Sequence, residues 1–173
     1  VMKNGSTVAD LKGRSINLVE LSVSHYLLAR ALDMNGLTER DVTLVNTSDA
    51  DIAALFTSDP NGAAVTWNPP LMQARNAEGA SLVFDSSNIP GEIIDMMVVR
   101  SDAPDALKKA LTGAWFETLA VIAGKDAEAE KAIAFMANAS GATVAEFKAQ
   151  LETTAMFYTP ASAVEFATSQ QPA

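Results

Sequence analysis

Short apolar runs alternate with amphipathic stretches along the N-terminal part of the chain. Four runs have the length and residue types of buried strands, and they cover residues 15–20, 42–47, 62–67 and 81–86. The stretches between them carry apolar residues at helical spacing and cover residues 24–36, 48–58 and 69–79. Strands and helices that alternate with short connections predict a parallel, doubly wound α/β sheet.

Residues that favour helix ends stand where these three helices are predicted to begin and end. Ser24 is the predicted N-cap of the first helix, and Gly36 is its predicted stop. Ser48 or Asp49 is expected to cap the second helix. The proline pair at residues 69–70 opens the third helix, where a missing N–H is tolerated.

The pattern changes near residue 95. Residues 92–102 form a fifth predicted strand, in which Met96 and Met97 are expected to lie in the core. The following chain is rich in alanine and predicts helices over residues 105–123, 127–137 and 144–154, with a last helix that begins at Pro160 or Ala161 and trails off. The sequence therefore predicts an α/β lobe over residues 11–95 and a mainly helical segment over residues 96–173.

The charge and residue counts exclude several classes of protein. The chain has a net charge of -9 and no cluster of Lys or Arg that could displace counterions from phosphates, so we expect no nucleic-acid binding. No apolar run approaches the ~20 residues needed to span a bilayer. The chain has no cysteine and one histidine, which rules out disulfides, thiolate metal sites and multi-histidine metal sites within one chain. No cofactor is implied.

Polar side chains follow each predicted strand, where a parallel α/β sheet binds its ligands. The loops after the strands cover residues 20–25, 46–51, 66–70 and 85–95, and all are rich in short hydrogen-bonding side chains. Trp67 offers an aromatic wall beside them. The predicted ligand-binding residues are Glu20, Ser22, Ser24, His25, Thr47, Thr66, Trp67, Asn68 and Glu92.

Each of these residues also has a structural interpretation. Ser22 and Ser24 are common helix caps, and a histidine in a first helical turn is more often a structural group than a catalyst. Trp67 is about as suited to packing as to binding. The chain lacks a G-x-S-x-G elbow, a P-loop and a G-x-G-x-x-G motif, so we predict that it is not an enzyme.

Four stretches in order resemble the substrate-binding proteins of ABC importers, of the nitrate/sulfonate/taurine-like class. They are DLKGRSINLVELSVSHYLLARAL, LVNTSDADIAALF, AAVTWNPP and FDSSNIPGEIIDMMVVRSD. The TWNP and IPGEIID pieces most resemble the members encoded beside urea carboxylase genes. The resemblance implies the type II periplasmic-binding-protein fold, in which two α/β lobes close on a small solute.

The resemblance also implies how this chain relates to the whole fold. It corresponds to the second lobe, a strand near residues 94–99 that crosses back, and a helical segment that returns to the first lobe. We expect a partial chain, because the N-terminal half of the first lobe has no counterpart. The implied partners are a small-molecule solute and an ABC permease with its ATPase, and the implied location is periplasmic or extracellular and lipid-anchored.

The candidate loops contain acidic residues but no Arg or Lys, and Arg30 is expected to lie elsewhere. Glu20 and Glu92 are expected to be free acceptors. This balance favours urea, an amide or a guanidinium-like solute over a sulfonate or nitrate, with cation–π attraction at Trp67. Two alternative functions are a ligand-sensing effector domain of a transcription regulator and a protein that binds a pyrimidine precursor of thiamine.

Overall fold

The computed structural model describes residues 1–169 of the chain. It divides into two compact units, Val1–Ile93 and Ile94–Ala173, and each is described by itself. The first unit contains strands and helices, whereas the described part of the second is helical. Within residues 1–169, no helix combines the length and the apolar character needed to cross a membrane.

The first unit contains four short strands and three α-helices. The strands are β1 (Met2–Lys3), β2 (Ser15–Leu18), β3 (Thr43–Asn46) and β4 (Ala80–Ser81). The α-helices are α1 (Val23–Met34), α2 (Asp49–Ser58) and α3 (Pro70–Arg75), and short 3₁₀ turns occupy Val8–Leu11, Glu39–Asp41 and Ser86–Asn88.

The strands form one continuous run of backbone pairing. β2 pairs in parallel with β3, and β1 pairs antiparallel with β4. Ala63 and Ala64 join the two pairs, because Ala64 bridges Asn17 in parallel and Ala63 bridges Met2 in the antiparallel sense. The predicted strand at residues 62–67 is therefore present only as these two bridges, and it lies between β2 and β1.

Helices cover both faces of this sheet. One core cluster combines alternate residues of the sheet with α1, and its buried members include Met2, Ile16, Leu18, Ala63, Leu28 and Leu32. The cluster on the opposite face combines the intervening sheet residues with α2 and α3, and its members are Val1, Ile52, Phe56, Ala64 and Ala74. The alternation between Ala63 and Ala64 follows from the two-residue repeat of a strand. The predicted doubly wound arrangement is confirmed.

The ends of the first three helices agree with the sequence except at the start of α1 and at the end of α3, which stops at Arg75 and not at Gly79. The N-cap of α1 is Ser22 and not Ser24, because the Ser22 side chain accepts the Ser24 N–H. Gly36 lies just past the end of α1 with φ +69°, a left-handed conformation that suits glycine. Ser48 is the N-cap of α2, and Pro70 is the first residue of α3, as predicted.

The strand predicted at residues 81–86 is much shorter than expected, and residues 92–102 form no strand. β4 ends at Ser81 because its neighbour β1 runs in the opposite direction and begins at Met2. Within residues 92–102, Met96 and Met97 are 74% and 50% exposed. A strand needs a hydrogen-bonding neighbour, and the described residues supply none for this segment.

A small cavity lies beside β1. It has a volume of about 50 Å³ and is lined on two sides by residues 64–66 and residues 82–85. Its other walls come from Val1, Leu11, Ile16, Leu71 and α1, and are apolar. The cavity is therefore mainly apolar, and Thr66 and Asp85 are its polar lining residues.

The second unit consists of α4 (Asp105–Ala123), α5 (Ala127–Ala139), α6 (Val144–Glu152) and α7 (Pro160–Ser169). All four helices were predicted, and the trailing end expected after the last one, at residues 170–173, lies outside the described residues. α5 packs against α4 and α6, with Leu119, Ala129, Ile133 and Ala137 buried. The Phe157 and Phe166 rings lie 4.8 Å apart and join α7 to the segment before it.

Replacement of Phe56 by alanine tests the core beneath α2. Phe56 is fully buried, so Phe56→Ala should lower the free energy of unfolding by about 3–5 kcal/mol in urea denaturation. Phe135→Ala is the matched control, because Phe135 is 75% exposed and its removal should change stability by less than about 0.5 kcal/mol. Equal losses in the two variants would contradict this description of the core.

Candidate functional site

Two threonines flank the end of the central strand β2. The parallel register pairs Leu18 with Asn46, and the Thr47 N–H donates to the Leu18 carbonyl at 2.8 Å. On the other side Asn17 pairs with Ala64, which brings Thr66 level with Val19. Neighbouring strands lie ~4.8 Å apart, so Thr47 and Thr66 stand about 10 Å from each other across β2. The sequence predicted this gathering at the carboxyl edge.

The two threonines differ in how their hydroxyls are used. Thr47 Oγ1 lies 2.9 Å from Asn17 Oδ1 and 3.0 Å from the Val45 carbonyl, so it has acceptors within the fold. Thr66 is 7% exposed, and its Oγ1 has no hydrogen-bond partner among the described residues. A buried polar group without a partner costs free energy, and a bound ligand or a water molecule would relieve this cost.

Two further side-chain oxygens at this edge are buried without a hydrogen-bond partner among the described residues, like that of Thr66. They are Asp49 Oδ1, at the start of α2, and Asn68 Oδ1, just before α3. Burial raises the pKa of Asp49. α2 and α3 pack against each other on one face of the sheet, so both oxygens belong to the same side. Of Asp49 and Asn68, only Asn68 was predicted as a ligand-binding residue.

The serines at the start of α1 have separate roles. The Ser22 hydroxyl donates to the Val19 carbonyl at 2.7 Å and accepts the Ser24 N–H at 3.1 Å. Ser22 is thus engaged in capping, which was the structural interpretation of its sequence position. Ser24 is 3% exposed and lies in the first turn of α1.

His25 is engaged on both sides of its ring. Its Nδ1 accepts the Leu21 N–H at 3.0 Å, and its Nε2 lies 3.0 Å from Glu39 Oε1. Because Nδ1 accepts, the ring proton belongs on Nε2, from which it is donated to Glu39. The predicted direct contact of His25 with a ligand is not supported, since neither ring nitrogen remains available.

Glu92 was predicted to be a free acceptor, and this was wrong. Its Oε2 accepts from the Tyr26 hydroxyl at 2.6 Å and from Arg30 Nε at 2.7 Å, while its Oε1 accepts from Arg30 Nη2 at 3.0 Å. These bonds lower the pKa of Glu92 from 4.5 to about 2, with Arg30 the larger cause. The bond to Glu92 also raises the pKa values of Tyr26 and Arg30.

The position of Arg30 corrects a second expectation. Arg30 was expected to lie away from the candidate loops, but it holds the loop that follows β4 against α1. Sequence reasoning missed this pair because Arg30 and Glu92 are 62 residues apart. The only local signal was that Tyr26 and Arg30 lie four residues apart, one turn along the same helix face.

The remaining predicted residues lie at the surface of the same edge. Trp67 is 39% exposed, which leaves part of its ring open to a ligand. Glu20 is exposed, and its backbone N–H donates to Asn46 Oδ1 at 3.0 Å. Within residues 1–169, no group of three or more His, Asp or Glu side chains is arranged to hold a metal ion.

Comparison with known proteins identifies the family. Residues 2–107, more than half of the chain, match the family described as NMT1/THI5 like. The chain belongs to this family. One relative, from Escherichia coli (strain K12), is named for the binding of aliphatic sulfonates. It is 34% identical over 83 residues, which are 48% of this chain and 26% of that protein.

Two solved structures have the same fold as this family member. The periplasmic aliphatic sulphonate binding protein SsuA from Escherichia coli matches with a TM-score of 0.71 at 24% identity, over 94% of this chain and 55% of that one. The alkanesulfonate-binding protein SsuA from Xanthomonas axonopodis pv. citri, bound to MOPS, matches with a TM-score of 0.69 at 23% identity, over 88% and 53%. The chain therefore spans about half the length of these proteins.

These findings confirm the resemblance drawn from the sequence. The fold is that of the type II periplasmic binding proteins, and the relatives that match are sulfonate-binding proteins, which belong to the class that the sequence resembles. The narrower link to members encoded beside urea carboxylase genes receives no support from the relatives.

Lowering the pH tests the Glu92 cluster. The pKa of Glu92 is depressed in the folded protein, so its contribution to stability is present above pH 4.5 and is lost as the pH falls toward 2. Glu92→Gln should therefore be less stable than wild type at pH 7, and the difference should shrink between pH 4.5 and 2. Denaturant midpoints across this range measure it.

Asp33→Asn is the control for this titration. Asp33 also contacts Arg30, at 3.1 Å, but its side chain is 78% exposed and it does not reach the loop. This variant should differ little from wild type at any pH. A pH-independent difference between Glu92→Gln and wild type would refute the role assigned to the carboxylate.

Proposed function

We propose that this protein is the solute-binding component of an ABC importer. The observation that carries the proposal is the buried, unpartnered hydroxyl of Thr66 at the carboxyl edge of the sheet, with the similarly buried oxygens of Asn68 and Asp49 on the same side. Ligands of parallel α/β sheets bind outside this edge. Membership of a family with sulfonate-binding relatives supports the same conclusion.

Binding at this edge would use neutral donors that follow two of the strand segments. The hydroxyl of Thr66 would donate to an oxygen of the solute, and Ser24 with the N–H groups of the first turn of α1 would do the same. The first turn of α1 contains no acidic residue, so an anionic oxygen meets no repulsion there. The open part of the Trp67 ring would contact the rest of the solute.

We infer that the solute carries a sulfonate-like head group, in place of the urea-like solute favoured by the sequence. The 34%-identical relative is named for aliphatic sulfonates, and a urea-like specificity has no such support. Pairing with Arg30 neutralises Glu92, which removes one of the acidic loop residues on which the preference for an amide or a cation rested. The absence of an Arg at the edge is compatible with an anion held by hydroxyl and backbone donors.

The partners follow from the transport role. We propose that a membrane permease with its ATPase receives the loaded protein. We also propose that the protein acts in the periplasm, where SsuA from Escherichia coli is found. Lobe closure on the solute, as a hinge motion, would couple binding to recognition by the permease.

Calorimetry with a panel of solutes tests the function. Purified protein is titrated with methanesulfonate, ethanesulfonate, taurine, nitrate, urea and guanidinium. The sulfonates are expected to bind, and urea and guanidinium are not. Binding of urea or guanidinium alone would overturn the head-group inference, and failure of every solute in the panel would count against the transport role.

A matched pair of threonine variants tests the site itself. Thr66→Val removes a hydroxyl that has no partner in the described structure, so it should raise the free energy of unfolding by about 1 kcal/mol while weakening sulfonate binding about tenfold. Thr47→Val should instead lower stability by about 1 kcal/mol, because it leaves Asn17 Oδ1 without its donor. Loss of stability in Thr66→Val without loss of binding would show that Thr66 is not a ligand contact.

A further inference from the structure

The loop between β2 and α1 contains a strained residue at the candidate binding edge. Leu21 has a φ of +59°, a left-handed conformation that a side chain disfavours, and it is 93% exposed. Asn4 also has a positive φ, at 53°, but asparagine tolerates this region far better than leucine. Strain of this kind persists only where neighbouring groups enforce it, and it concentrates at functional sites.

Side chains from other elements hold the backbone of this loop. The Leu21 N–H donates to His25 Nδ1, and the opposite ring nitrogen of His25 donates to Glu39 Oε1, both at 3.0 Å. The Glu20 N–H donates to Asn46 Oδ1, also at 3.0 Å. The His25 side chain is only 18% exposed, so its orientation is restricted by the surrounding structure.

We propose that His25 is a positioning residue, which with Glu39 holds Leu21 in its left-handed conformation and so fixes the loop between β2 and α1 for solute binding. The solute-binding part rests on the proposed function. Glu39 keeps the ring proton on Nε2, and this leaves Nδ1 free to accept from the Leu21 N–H. The loop continues the central strand of the sheet into the first turn of α1, so its conformation sets the direction of the N–H groups there.

This role differs from direct contact with the solute in one measurable respect. If His25 acts by holding Leu21, a residue that adopts a positive φ unaided should make His25 dispensable. Glycine is such a residue, because it has no Cβ. If His25 itself touched the solute, glycine at position 21 would not restore what is lost when the imidazole is removed.

The decisive experiment is a rescue. His25→Ala is expected to weaken methanesulfonate binding about tenfold, and addition of Leu21→Gly to this variant is expected to restore affinity to within about threefold of wild type. Leu21→Gly alone should bind like wild type. An unrepaired loss in the double variant would overturn the positioning role.

Glu39 provides a matched pair of controls that leave the imidazole in place. Glu39→Gln keeps an oxygen that accepts from Nε2–H, so it should bind like wild type. Glu39→Ala removes the acceptor, so it should weaken binding in the same direction as His25→Ala. Equal affinities for Glu39→Ala and wild type would show that the contact between Glu39 and His25 is not needed.

Two measurements need no solute and separate this proposal from the proposed function. The chain has a single histidine, so its imidazole nitrogen signals in NMR are unambiguous, and they should show Nδ1 unprotonated and Nε2 protonated. Amide exchange at Leu21 should accelerate at least tenfold in His25→Ala, and the reference amide of Leu28 should not change. The opposite tautomer or unchanged exchange at Leu21 would overturn the proposal, even in a protein that binds every sulfonate tested.

Discussion

Backbone pairing on both sides of β2 is the constraint from which the candidate site follows. β3 lies on one side and the Ala63–Ala64 bridge on the other, so the loops that follow these three parallel segments begin at the same edge of the sheet. A parallel register has no freedom to slip by one residue here, because a slip would turn Ile16 and Leu18 out of the core. The placement of Thr47 and Thr66 on either side of β2 is therefore enforced by burial elsewhere in the sheet.

Polar groups at this edge divide into those that the fold uses and those that it does not. The hydroxyls of Ser22 and Thr47 bond to the Val19 carbonyl and to Asn17 Oδ1. The His25 ring accepts the Leu21 N–H. Thr66, Asn68 and Asp49 are buried with an oxygen that no described residue satisfies. The first group makes the edge rigid, and the second group gives it unfilled hydrogen-bonding capacity. A binding site needs both, because hydrogen-bonding groups that are already fixed lose little entropy when a solute arrives.

The Arg30–Glu92 pair changes the electrostatics expected from the sequence. Counting charges in the loops suggested an acidic site, since six acidic residues occur there, Glu20 and Glu92 among them, and Arg30 lies within a helix. Two parallel hydrogen bonds from the guanidinium neutralise Glu92 and anchor the loop after β4 to α1. The net charge of -9 belongs to the whole chain and does not give the charge at this edge. Local pairing, which depends on tertiary contacts, decides what a ligand meets.

Much of the architecture was determined by the sequence alone. The 3.6-residue pattern located every α-helix of residues 1–169, but it placed the N-cap of α1 at Ser24 in place of Ser22 and extended α3 beyond its end at Arg75. Alternating apolar residues identified the core positions of β2, because burial of one face imposes a two-residue period, whereas β3 has no buried residue. Tertiary structure decided the rest. Residues 92–102 carry the composition of a strand, but a strand exists only with a neighbour to bond, and which hydroxyls are left without a partner depends on contacts between residues far apart in the chain.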